Sequence, residues 1–239
     1  MQIDVSADAE GFAQRVADWI LGLALEATGD FGVVLAGGET PRPVYERLVS
    51  SAYRTRFPWA RAHWFWSDER FVPHDDARSN FRMAWDAMLS HAPVPSENIH
   101  PVRTENITPE EAASAYEREL RSFYGADAFD PRRPLFAITL LGLGEDGHLA
   151  SLFPGHAVLN ERRRWAAPVI GATPEPRITL TYPTLESSRH TAFLVAGAGK
   201  AAILRRFRAG DPALPASRFQ PIGEFRVFAD SAVAGENAS

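Results

Sequence analysis

The sequence predicts an α/β fold: a doubly wound, mostly parallel open sheet flanked by helices, in the Rossmann-like manner. Three observations predict it. Strand-like and helix-like segments alternate along the chain. The strand candidates Phe31–Ala36 and Leu135–Leu141 are continuous apolar runs, as in strands buried on both faces. Glycine-rich or charged turns follow several strands, where open sheets of this kind collect ligands. The 239 residues suffice for one large domain or two small ones. With no internal repeat or linker, the reading is one domain over 1–239; a break near Pro93–Pro95 is the alternative.

Apolar residues at Phe12, Val16, Trp19, Ile20, Leu23 and Ala27 recur at helical spacing, and Gly29 follows as a stop signal. Phe31–Ala36 is a strand, Gly37–Thr40 a turn, and Pro41 suits the first turn of a helix facing inward through Val44, Leu48 and Val49. His63–Trp66 is the next strand, followed by an irregular stretch to Asn80 and a helix over Phe81–Leu89. A helix over Pro109–Tyr124 starts at Thr108 as N-cap, with Glu111 three residues on. Leu135–Leu141, Trp165–Ile170, Arg177–Tyr182, Thr191–Ala196 and Phe225–Ala229 read as strands, and Lys200–Arg208 as a helix. The tail from Gly235 is expected to fray.

Composition sets bounds. Hydrophobic residues make up 45%, enough for a full core. No cysteine is present, which excludes disulfides, thiolate metal sites and a cysteine nucleophile. The net charge of −5 argues against nucleic acid, and an anionic substrate would need a local cationic pocket. The first residues lack a signal-peptide pattern and no apolar run reaches the ~18 residues of a membrane span, so the expected location is cytoplasmic, without membrane association. Of 25 basic residues only Lys200 is lysine, a compact ammonium suited to a phosphate as a point charge; composition bias with a chance survivor is the plain alternative.

Four strand ends carry chemistry. Leu35-Ala36-Gly37-Gly38-Glu39-Thr40-Pro41 places a glycine turn before a helix N-terminus, with backbone N–H groups at Gly37 and Gly38 and the Thr40 hydroxyl available to a phosphate. It lacks the spacing of a P-loop or dinucleotide fingerprint. Trp66-Ser67-Asp68-Glu69-Arg70 supplies Arg70 as a bidentate phosphate ligand, with Asp68 to hold it or to bond a sugar hydroxyl; Ser79 is a cap and Asn80 a loop buttress. Gly142-Leu143-Gly144-Glu145-Asp146-Gly147-His148 puts a histidine two residues after an aspartate in a glycine turn, the pattern of an oriented general base. Gly197-Ala198-Gly199-Lys200 adds a cationic strand end, and Arg177 is a further cationic candidate. His63, His74, His91, His100, His156 and His190 have no comparable setting and read as ordinary surface or core residues; no set has metal-ligand spacing. Together these ends imply a phosphorylated small molecule with a base near its other end.

In this order, through Asp146-Gly147-His148, Ser151-Leu152-Phe153-Pro154-Gly155, Arg177-Ile178-Thr179, Gly197–Lys200 and Pro215-Ala216, the chain resembles the 6-phosphogluconolactonase family over nearly its whole length. The resemblance implies the sugar-phosphate isomerase/lactonase type of sheet. It implies hydrolysis of 6-phospho-D-glucono-1,5-lactone in the oxidative pentose-phosphate pathway, with no metal or redox cofactor. Asp146 and His148 would be catalytic, Gly37, Gly38, Thr40, Arg70 and Lys200 would bind phosphate, and Asp68, Asn80 and Arg177 would support them. A backbone N–H near Gly144–Gly147 would meet the developing oxyanion. The sugar-phosphate lactone is the expected partner, and the protein is expected to be a monomer or weak homodimer. Ala36 and Glu39 replace two serines of the family's first loop, and Leu149 stands where threonine is common; Glu39 should point away from a phosphate dianion. Glucosamine-6-phosphate deaminases are similar in their glycine loop and Asp-Gly-His turn. Their acid–base glutamate before Pro-Gly is Phe153 here, which cannot move a proton. A non-catalytic sugar-phosphate sensor is the other alternative; it would carry a partner module not visible in the sequence.

Overall fold

The computed structural model describes residues 2–234. The strands are β1 (Gln2–Ser6), β2 (Phe31–Leu35), β3 (Ala62–Trp66), β4 (Asp68–Arg70), β5 (Phe136–Gly142), β6 (Ala166–Val169), β7 (Arg177–Leu180), β8 (Ser188–Val195) and β9 (Glu224–Asp230). The helices are α1 (Ala9–Glu26), α2 (Arg42–Leu48), α3 (Ser51–Arg54), α4 (Asn80–Ala87), α5 (Pro109–Tyr124), α6 (Tyr182–Glu186), α7 (Ala201–Arg208) and α8 (Ser231–Ala234). The expected fraying tail lies outside the described residues.

Six strands form one sheet in the order β1-β9-β8-β5-β2-β3, every neighbouring pair parallel. The chain works outward from β2 to β3 on one side and from β5 through β8 and β9 on the other. The order therefore reverses between β2 and β5, and the crevice beyond their carboxyl ends is where such sheets bind ligands.

Alternation along the strands fills both faces. Val33, Leu35, Trp64 and Trp66 face one core with Phe12, Val16 and Ile20 of α1. Val34, Phe65 and Leu141 face the other, with Ala112, Tyr116 and Leu120 of α5. Trp64 and Phe65 are fully buried; complete burial of a large apolar side chain contributes about 1.5–3 kcal/mol. Helix ends follow their sequence signals: Asp8 Oδ1 accepts from Gly11 N at 2.8 Å, and Thr108 and Glu111 form a reciprocal capping box.

Four segments depart from the sequence expectation. Gln2–Ser6, for which the sequence reading gives no element, is a strand, because β9 offers it a parallel edge. Asp68–Arg70 is a strand rather than part of an irregular segment, pairing antiparallel with β7. The segments around Trp165–Ile170 and Arg177–Tyr182 are strands, but they leave the main sheet: β4, β7 and β6 make a separate antiparallel sheet packed into the α5-side core. Lys200 closes a 3-10 turn, Ala198–Lys200, and the α-helix begins after it at Ala201. Among the described residues no helix is long and apolar enough to cross a membrane.

Candidate active site

A cleft of about 610 Å3 opens at the carboxyl end of β2 and β5, within the size range of small-ligand sites. Gly37, Gly38, Thr40, Asp68, Arg70, Asn80, Asp146, His148, Arg177 and Lys200 all line it. Six separate strand ends or turns thus reach one space.

The glycine turn after β2 is held from behind. A Cβ built on Gly37 would lie 2.0 Å from Asn80 Oδ1, so only glycine lets the side chain of Asn80 press against this backbone. Asn80 is itself fixed, its Nδ2 donating to the Asp68 carbonyl at 2.9 Å. Thr40 lines the cleft but does not cap α2, whose N-cap position is Pro41 without a side-chain bond. Glu39 is exposed, and its Oε2 accepts from Arg42 Nε at 3.2 Å.

Behind Arg70 lies a residue whose role the sequence reading missed. Glu69 is buried, and its carboxylate accepts from Arg70 N, Asn80 N and Phe81 N, each at 2.7 Å, and from Ser79 Oγ at 3.0 Å. Burial pushes this carboxyl up, while the three amides hold it back. Two of those amides open α4, whose positive dipole end favours the anion. Ser79 caps the same helix, accepting from Arg82 N. The Arg70 guanidinium donates to the Arg78 carbonyl, and its buried Nε has no partner among the described residues.

Asp68 does not hold Arg70. Its Oδ2 accepts from Ser151 Oγ at 2.6 Å, a contact spanning 83 residues of sequence. Arg177 pairs with Glu175 at 2.9 Å, and burial lowers its pKa. Lys200 lines the cleft and makes no ion pair among the described residues.

The histidine turn is tightly built. His148 Nδ1 lies 2.5 Å from Asp146 Oδ1, and the same oxygen accepts from His148 N at 3.1 Å. Burial raises the Asp146 carboxyl, but these contacts outweigh it and the net shift is downward. An ionised Asp146 accepts a hydrogen bond from Nδ1–H, which fixes the proton on Nδ1 and leaves Nε2 as a lone-pair acceptor. The ring packs on Phe153 at 4.7 Å and over Gly144, where a Cβ would lie 2.1 Å from Nδ1. Ala150 holds a left-handed φ of 48°, a conformation costing about 1–2 kcal/mol outside glycine. Of the amides in the Gly144–Gly147 stretch, those of Gly144 and Gly147 are spent inside the turn, on His148 O at 2.8 Å and Gly144 O at 2.9 Å.

The family model for glucosamine-6-phosphate isomerases/6-phosphogluconolactonase matches residues 7–227. A 6-phosphogluconolactonase of Synechocystis is 39% identical over 99% of this chain and 98% of its own length. The 6-phosphogluconolactonase of Thermotoga maritima is 41% identical over 74% of both. A crystal structure of a 6-phosphogluconolactonase from Thermotoga maritima superposes with a TM-score of 0.82 at 34% identity, covering 96% of this chain and 99% of the other. A monomeric glucosamine-6-phosphate deaminase shares the fold, with a TM-score of 0.82 at 21% identity. The chain belongs to the glucosamine-6-phosphate isomerase/6-phosphogluconolactonase family.

Proposed function

We propose that this enzyme is a carboxylic-ester hydrolase that opens 6-phospho-D-glucono-1,5-lactone to 6-phospho-D-gluconate, as in the oxidative pentose-phosphate pathway. The observation that carries the reading is the shared cleft: an oriented imidazole, His148, and the cations Arg70 and Lys200 line one space. The phosphate docks on the Gly37/Gly38/Thr40 turn, with Arg70 and Lys200 neutralising it. Gripping this remote group places the lactone carbonyl and turns binding energy into orientation.

Asp146 keeps the Nδ1 proton in place, so Nε2 of His148 removes a proton from water as that water attacks C1. The imidazolium then returns the proton to the ring oxygen as the C1–O bond breaks. Atoms and charge balance with one water added and no acyl-enzyme, metal or redox cofactor. Asp68, held by Ser151, and Asn80, held against Gly37, keep the cleft wall in shape. The deaminase alternative lacks support at Phe153, which packs at a tilt against His148 where an acid–base carboxylate would be needed.

The test is acid release by pH-stat from freshly made 6-phosphogluconolactone, corrected for spontaneous decay. Turnover is expected, with none of ammonia release from glucosamine 6-phosphate. Saturable binding without turnover would instead make the protein a sensor.

A further inference from the structure

A second cleft, of about 360 Å3, lies at the opposite edge of the main sheet, where β2, β3, β5 and β8 begin. His63 is on its wall. His63 Nδ1 is 2.9 Å from His100 Nε2, and His100 Nδ1 is 2.7 Å from Glu119 Oε1. His100 lies flat on Phe65 at 4.4 Å, and His63 packs on Phe123 at 4.9 Å, so the chain of three groups is held in line.

The proton positions follow from the acceptor at the end. Ionised Glu119 only accepts, so His100 carries its proton on Nδ1 and presents a lone pair at Nε2. His63 must then donate from Nδ1, which leaves its own Nε2 as an acceptor. Burial, and then His100 behind it, lower the His63 pKa, against the opposing pull of Asp30 and Glu97. His63 is half-buried, and among the described residues its side chain bonds only through Nδ1.

Two guanidiniums line the same cleft, Arg133 and Arg189. Both are exposed, and neither makes an ion pair among the described residues. Arg133 is stacked on Tyr124 at 4.2 Å, which restrains it beside the cleft. Asp30 is also on the wall and opposes a second negative group.

We propose that this cleft binds a small hydroxylated oxyanion carrying one anionic group, held by Arg133 and Arg189 and donating a hydroxyl to His63 Nε2. The inference does not rest on the reaction assigned to the other cleft.

The experiment is long-range 1H–15N correlation of the imidazoles in the intact protein, with His63 assigned from His63→Gln. The expected spectrum has His63 in the Nδ1–H tautomer. D-Gluconate or glycerol 3-phosphate then shifts its Nε2 resonance saturably, and acetate, lacking the hydroxyl, binds at least tenfold more weakly. The double variant Arg133→Ala/Arg189→Ala loses more than tenfold in affinity with turnover unchanged. An Nε2–H tautomer at His63, no saturable shift with either probe, or wild-type affinity in the double variant would overturn the proposal. The tautomer is read on the unmutated protein and so does not depend on the variants folding.

Discussion

The two edges of the six-stranded sheet each present an imidazole whose Nδ1 is held by a partner. At the carboxyl edge Asp146 holds His148 directly at 2.5 Å; at the amino edge Glu119 holds His63 through His100. The surroundings differ. His148 shares its cleft with the glycine turn before α2 and with Arg70 and Lys200, at the point where the strand order reverses. His63 has two exposed arginines, Asp30 and no glycine turn before a helix. An oriented histidine is therefore common to both edges. What the carboxyl edge adds is a glycine turn before a helix, backbone of the kind that can anchor the far end of a phosphorylated ligand.

The sharpest way to break this contrast is to remove each imidazole in turn. His148→Ala should lower kcat by roughly 10²- to 10⁴-fold, as expected for loss of a general base, while His63→Gln leaves kcat unchanged. Steady-state kinetics on the phosphorylated lactone checks both. Gly144→Ala keeps every catalytic group but drives a methyl into the imidazole. Misplacing the base by about 1 Å should cost on the order of 10²-fold in kcat, with KM little altered.

A smaller effect separates frame from chemistry. Glu69→Gln keeps an oxygen for two amides but turns an NH2 toward the other donors. It should cost about 1–3 kcal/mol for an unsatisfied buried group, read as a Tm lower by about 2–4 °C per kcal/mol. KM should rise more than kcat falls, because Arg70 and Asn80 stand on this carboxylate.

The smallest effect is in pH. The Asp146 pKa is depressed below its ordinary 3.8, so its contribution to stability is present above that value and lost as pH falls through the folded one. The stability gap between wild type and Asp146→Asn should be flat from about pH 5 upward and shrink below about pH 4. Denaturant unfolding at a series of pH values measures it.

What the sequence made legible was local. The Asp-x-His turn, the glycine turn before Pro41 and the lone lysine sit within a few residues of a strand end, and strand ends in a parallel sheet share an edge. Contacts made across the chain were not legible. Ser151 and Asp68 stand 83 residues apart, and His63 and His100 37 apart, so an acceptor chain at the amino edge read as ordinary histidines. Asp68–Arg70 looked like a charged loop because its strand character comes from pairing with β7. Gln2–Ser6 does alternate, with Ile3 and Val5 between polar residues, but two apolar residues in a five-residue stretch are a weak signal, and only Ser6 is buried. Glu69 was hidden for the opposite reason: three consecutive charged residues suggest solvent, yet the middle one is in the core.

The central claim is that one end of the cleft grips phosphate so that the other can address the lactone, and substrate comparison tests it most directly. Wild-type kcat/KM for 6-phosphogluconolactone should exceed that for unphosphorylated gluconolactone by roughly 10²- to 10⁴-fold, the worth of two charge-assisted contacts. In Arg70→Ala/Lys200→Ala the ratio should fall toward unity through loss on the phosphorylated substrate alone. Equal wild-type activity on the two lactones would contradict the account.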